Sequence, residues 1–264
     1  MNNELSFALY SIKKNLQNSA ELRTSFLMNI IGMAINNTAF IFLWVFFVKS
    51  VGVIGGWTAV DIIGLQGFVA LSYGLVLSVG SGIRKLADYT ASGSFDRFML
   101  SPKNLLMRVA TSSISVASLG DIVFGVVCLF IYAFVIQAGF VQILLILLLI
   151  IISAIVFLAA AIAIYSTSFL FTDANSVTSG LFELFMSPSM FHGGAFQGTL
   201  RFIFTFAIPS LLLGSLPVEI IRNVSLDKLL LIGFLALVWI VLAIKIFYRC
   251  VKKYESSNFM TFGN

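Results

Sequence analysis

The chain has 264 residues, 59% of them hydrophobic and only 10% charged, with a mean hydropathy of +1.04. A water-soluble protein carries roughly 25% charged residues, so this composition excludes a soluble enzyme or binding domain and requires a bilayer as solvent. The net charge of +5 is not a nucleic-acid footprint, because Lys and Arg collect in the cytoplasmic loops of membrane proteins, and no nucleic-acid partner is expected.

A crossing of roughly 30 Å of hydrocarbon takes about 20 apolar residues. The length therefore allows six or seven spans in a single all-α transmembrane domain, 1–264, in contact with membrane lipid. The first 24 residues are polar and mixed in charge, without the apolar core of a secretory leader. Leu5, Leu9, Ile12 and Leu16 share one helical face, with Lys14, Gln17 and Asn18 on the other and Phe7 interrupting the polar side. That pattern predicts an interfacial helix over 1–24, the alternative being a solvated leader. Spans are predicted at 25–48, 60–80, 110–136, 141–171, 175–190 and 229–247. Between them lie a cytoplasmic loop at 81–104 and an external segment at 191–221, and a tail follows at 248–264. The external segment contains Gly193, Gly194, Pro209 and Pro217. It reads as a re-entrant or interfacial helix pair packed against protein, since unpaired backbone cannot face lipid.

The basic residues fit this layout. Lys13, Lys14 and Arg23 precede the first span, Arg84, Lys85, Arg97, Lys103 and Arg108 separate the second and third, and Lys245, Arg249, Lys252 and Lys253 close the last. Six spans place all of these on one side and leave Lys49, Arg201, Arg222 and Lys228 on the other. The positive-inside rule then puts both termini in the cytoplasm, and the expected location of this multi-pass protein is the inner, or plasma, membrane.

Within the loop at 81–104, Ile83, Leu86 and Tyr89 or Thr90 fall on one helical face, flanked by Arg84, Lys85 and Asp88. Gly93 is placed to end that helix, and Phe95, Phe98, Met99 and Leu100 follow. An exposed apolar face beside the cytoplasm suits a partner protein, or anchors the loop among lipid headgroups.

Two acids fall inside predicted spans, Asp121 and Glu183. Burying such a group costs roughly 2.5–3.5 kcal/mol on insertion scales, so each is expected to face the bundle interior or water. They are candidates for a polar substrate lining or a proton-sensitive switch. Equally, Asp121 suits a packing hydrogen bond to Asn36, Asn37 or Ser115. Phe40, Phe42, Phe46 and Phe47, with Phe202, Phe204 and Phe206, suit either a substrate cavity or a lipid-facing surface. Ala154, Ala159, Ala160, Ala161 and Ala163 make the fourth span small-sided, which permits close helix approach.

Catalytic signatures are missing from the sequence. It contains no G-x-x-x-x-G-K-[ST] phosphate loop. The single histidine, His192, rules out paired-His metal sites, and Cys128 and Cys250 form no disulfide or metal pattern. No acid–base or nucleophile constellation is visible, so neither catalysis nor a bound cofactor or metal is expected on this chain.

The run Gly93-Ser-Phe-Asp96-Arg-Phe-Met-Leu100-Ser-Pro102-Lys-Asn104 resembles the cytoplasmic loop of permease subunits of ATP-binding-cassette type-2 exporters. The triplet Leu119-Gly120-Asp121, the segment Phe206-Ala-Ile-Pro209 and the short basic tail extend the resemblance, which is to the small bacterial six-span branch. It implies a coupling helix that sits in a groove of a separate ATPase, two such subunits per complex, and a second copy of this permease or a related one. ATP and Mg would be bound by the ATPase. The resemblance implies coupling residues Ile83, Arg84, Leu86, Tyr89, Phe95, Asp96 and Phe98, a connecting helix at the amino terminus, and external helices that close the outer mouth. It does not select among lipid, lipid-linked sugar, peptide and amphipathic drug as substrate. Two other readings stay open. An ion-driven carrier predicts matched broken halves, of which only one broken region is visible. A non-transporting scaffold leaves the loop without a partner.

Overall fold

The apolar runs fold as helices because in hydrocarbon a helix satisfies each backbone N–H and C=O within its own segment. The computed structural model describes residues 2–51 and 56–255, except for the side chains of residues 2, 3, 45 and 47–51. Among the described residues there is no strand, and the chain is an all-α membrane protein. In order the helices are α1 (Asn2–Glu21), α2 (Arg23–Val51), α3 (Ala59–Gly80), α4 (Leu86–Ala91), α5 (Asp96–Met99) and α6 (Leu105–Ala110). They continue with α7 (Ala117–Val135), α8 (Phe140–Ser166), α9 (Ala174–Ser189), α10 (Gly198–Phe202), α11 (Ser215–Arg222) and α12 (Leu226–Val251). The side chains of Lys49 and Phe47, and the tail beyond residue 255, lie outside the described residues.

Among the described residues five helices, α2, α3, α7, α8 and α12, are long and apolar enough to cross a membrane. The stretch predicted as a span at 175–190 is α9, whose 16 residues rise about 24 Å, short of roughly 30 Å of hydrocarbon. Contacts show how far it reaches. Near its start the Asn175 amide donates to Asp88 at 3.2 Å. Just past its end the Met190 carbonyl accepts from Gln66 Nε2 at 3.1 Å, two turns into α3.

The bundle has two distinct ends. At one, Asn15 Nδ2 donates to the Thr111 carbonyl at 2.9 Å, the Asn104 N–H donates to Glu4 at 3.2 Å, and the Tyr254 ring meets Phe95 at 5.0 Å. At the other, Arg222 donates to the Gly56 carbonyl at 2.9 Å and Gln142 Nε2 to the Ile221 carbonyl at 3.2 Å. The first end gathers α1, the connection from α3 to α7 and the end of α12, the three regions that carry most of the basic residues.

The largest departures from the sequence reading lie in two stretches. The span predicted from 110 begins at Ala117. Before it, Ser112 Oγ donates to the Val109 carbonyl at 2.7 Å and the Ser115 N–H to the Leu77 carbonyl at 3.0 Å. Hydroxyls in this run of Thr and Ser compete with the helical ladder. The segment 191–221 is broken into α10, a π-helical turn at Ile203–Ala207, a 3-10 turn at Ser210–Leu212 and α11. Leu211, Leu212, Leu213, Val218 and Ile221 are buried in the core.

Small residues set the helix spacing. A Cβ at Gly74 of α3 would lie 2.8 Å from Ile122 N and 2.9 Å from the Ser118 carbonyl of α7, and one at Gly125 would lie 2.7 Å from Leu71 N. In α8, Ala159, Ala160 and Ala161 are buried, on a helix that packs closely against α12.

Candidate functional site

Helices α2, α3, α7 and α9 surround a cavity of about 540 Å³, within the usual range of roughly 300–1,000 Å³ for small-molecule sites. Gly120 brings α2 against α7, since a Cβ there would overlap the Ile30 carbonyl and sit 2.9 Å from Met33 Cβ. The next residue, Asp121, is thereby set facing α2 and is only 3% exposed. Its Oδ1 accepts a hydrogen bond from Asn37 Nδ2 at 2.6 Å. Its Oδ2 has no hydrogen-bond partner among the described residues. Asn36, Gln66 and Tyr73 add polar groups to the lining. Phe40, Phe124 and Phe182 supply rings, and Met33, Met186 and Met190 supply thioethers.

Three of the four intramembrane polar residues singled out in the sequence, Asp121, Asn36 and Asn37, thus meet at one cavity. Glu183 does not join them. It is exposed on α9, away from the bundle interior; its neighbours Phe182 and Phe185 take the inward positions, packing on Phe157 at 6.2 Å each. The phenylalanines are also sorted. Phe40 lines the cavity, whereas Phe42, Phe46 and Phe202 point outward. Gln66 and Tyr73, which sequence patterning did not single out, are the additional polar lining, and their spacing of seven on α3 is the signal that places both on one face.

Arg84 joins this cavity to the loop. It donates to the Tyr73 hydroxyl at 2.8 Å and the Tyr165 hydroxyl at 3.3 Å, and its guanidinium lies 5.2 Å from the Phe182 ring centre. Two lining residues, Tyr73 and Phe182, therefore touch a loop residue directly.

The apolar face of that loop is not free. A 3-10 turn (Ser81–Lys85) leads into α4, and Ile83, Leu86, Phe95 and Phe98 are all buried, Leu86 and Phe95 completely. Phe169 covers Phe95 at 4.8 Å and Tyr254 at 5.0 Å. Arg108 binds the Phe98 carbonyl, and Arg97 stacks over the Tyr89 and Phe98 rings at 5.1 and 4.8 Å. Tyr89 is half-buried with its hydroxyl 3.0 Å from Ser112 Oγ, and Asp96 is half-buried. The expectation of an exposed apolar docking face is corrected accordingly: these side chains fasten the loop to its own bundle. Periodicity identified the face but not its cover, which comes from distant stretches of the chain. The outward groups are Arg84, Lys85, Asp88, Arg97, Met99 and Leu100, the last 86% exposed. Gly93 closes α4 with φ +68°, as expected of a glycine past a helix end.

At the opposite end a charged cluster holds the broken segment. Arg201 clasps both carboxylate oxygens of Glu219 at 2.8 and 2.7 Å, Lys228 lies 3.5 Å from Glu219, and Arg222 3.5 Å from Asp61. Asp61 itself caps α3, accepting from the Thr58 N–H at 2.9 Å. His192 is buried nearby, 5.8 Å from the Trp57 ring, and burial lowers its pKa below the ordinary value.

Along α1 the structure leaves Leu5, Leu9 and Leu16 uncovered by protein, while Ala8 is buried against the bundle. The helix is thus held to the first end with an apolar face outward.

Residues 33–258 match the family described as ABC-2 family transporter protein. No curated protein and no solved structure matches the chain.

Proposed function

The chain belongs to the ABC-2 family of transporter proteins, and from that premise we propose that it is the permease subunit of an exporter in the plasma membrane. It works as one of two copies, or beside a related permease, and is driven by two ATPase subunits on separate chains that bind the ATP and Mg. The observation that carries this reading is the extent of the family match, which spans both the loop and the cavity.

In this reading six crossings place α1, the loop and the tail in the cytoplasm, the side that holds most of the basic residues. The partner ATPase meets the outward groups of the loop, with Met99 and Leu100 as apolar contacts and Lys85 and Arg97 as charged ones. Ile83, Leu86, Phe95 and Phe98 make the loop rigid enough to transmit the push. Arg84 carries it to Tyr73 and Phe182 at the cavity wall. The pairing of Arg201 with Glu219 at the other end holds the external segment closed until the bundle rearranges. The outer face of α2 and the exposed Glu183 are available to the second permease, because a carboxylate on an apolar helix needs water or a protein neighbour.

Affinity purification of the full chain from mild detergent, with cross-linking, tests the reading. The expected result is a stoichiometric ATPase chain with a phosphate-binding loop. Repeated isolation without any nucleotide-binding chain would overturn it in favour of an ion-driven carrier or a scaffold.

A further inference from the structure

We propose that the cavity between α2, α3, α7 and α9 binds amphipathic organic cations, with the Asp121 carboxylate as their counter-charge; this names a substrate class for the permease reading and rests on it. Asp121 is the one charged residue among the described lining residues. One of its oxygens is held by Asn37 at 2.6 Å, and the other is buried with no partner among the described residues. A buried charge is ordinarily paired, and no basic side chain of this chain lies within ion-pair distance of Asp121 among the described residues. Arg84, which touches two lining residues, donates instead to the hydroxyls of Tyr73 and Tyr165. A ligand cation supplies the missing charge.

The remaining lining suits the organic part of such a ligand. Phe40, Phe124 and Tyr73 line the cavity with rings, and an aromatic face attracts a cation within about 6 Å when water is excluded. Met33, Met186 and Met190 are unbranched and polarizable and adapt to varied shapes. A volume of about 540 Å³ accepts a compact ion and not a lipid-linked sugar chain. An anion is disfavoured by Asp121.

The test uses the full chain in detergent micelles and two ions of the same shape and opposite charge, tetraphenylphosphonium and tetraphenylborate. Equilibrium dialysis should show saturable binding of the phosphonium and at least tenfold weaker binding of the borate. Asp121→Asn should weaken phosphonium binding at least tenfold, and Asp121→Glu should retain part of it. Ala70→Phe leaves Asp121 in place but fills the cavity, and should abolish binding, which guards against misfolding of the Asp121 variant as the explanation. Equal binding of the two ions, or unchanged phosphonium binding in Asp121→Asn or in Ala70→Phe, overturns the proposal. A chain that purifies with its ATPase but binds no phosphonium refutes the cation site alone, whereas one that binds phosphonium but has no ATPase refutes the transporter reading.

Discussion

Gly74 lies where α3 and α7 touch, and an added methyl would fall within 3 Å of backbone atoms of α7. Backbone cannot swing aside as a side chain can, so Gly74→Ala should lower stability by about 1–3 kcal/mol. Gly233 on α12 has open space at its Cβ position, and Gly233→Ala should keep or slightly raise the melting temperature in detergent, since alanine is the better helix former. If both variants melt alike, the close approach of α3 and α7 is wrong. His192 gives a second prediction. Its burial favours the neutral ring in the folded state, so the unfolded chain takes up a proton first as pH falls below about 6.5. Stability present above that pH is therefore lost on acidification. The melting temperature should fall between pH 7.5 and 5.5, and His192→Phe should flatten that part of the decline. None of this was legible in the sequence, where Gly74 and His192 carry no pattern. The neighbour that crowds or desolvates each of them comes from another part of the chain.

At the scale of elements the loop between α3 and α7 divides into a buried and an exposed set of side chains that the sequence did not distinguish. Leu86 is fully buried, so Leu86→Asp places an unpaired charge in the core and should unfold the loop, read as new protease cleavage between residues 81 and 104. Leu100 is almost wholly exposed, so Leu100→Asp should keep the melting temperature and the amount of protein in the membrane while reducing the yield of co-purified ATPase severalfold. Equal effects of the two substitutions on stability would contradict this division. The sequence did reveal that this loop is more than a tether, because Ile83, Leu86, Phe95 and Phe98 are too apolar for a plain connection. It could not reveal that they are buried, with Phe169 and Tyr254 covering Phe95, since a helical period reports a face and not what lies on it. Asp121 was legible for the opposite reason. An acid within an apolar run must find a polar neighbour, and only a few such groups were on offer, of which Asn37 makes the bond.

For the whole molecule, hydropathy alone located the five long helices, although α7 starts seven residues later and α8 ends five residues earlier than the apolar runs, because an apolar run of that length has no other stable form in lipid. Hydropathy was least informative over 175–221, where α9 is short and the chain then breaks into α10, two non-α turns and α11. There the fold depends on tertiary pairing, such as Arg201 with Glu219 and Gln66 with Met190, which no local pattern encodes. The bundle that results has one end that gathers most of the basic residues and one end held by ion pairs, with a cavity between them joined to the first end through Arg84. The most direct measurement of this arrangement is photo-cross-linking in intact cells, with a photoreactive residue at position 100 and, as a reference, at the outward-facing position 237 on α12. Position 100 should capture an ATPase chain that carries a phosphate-binding loop, and position 237 should capture none. Capture of no such chain from position 100, or equal capture from both positions, would contradict the account of this protein as a permease driven through that loop.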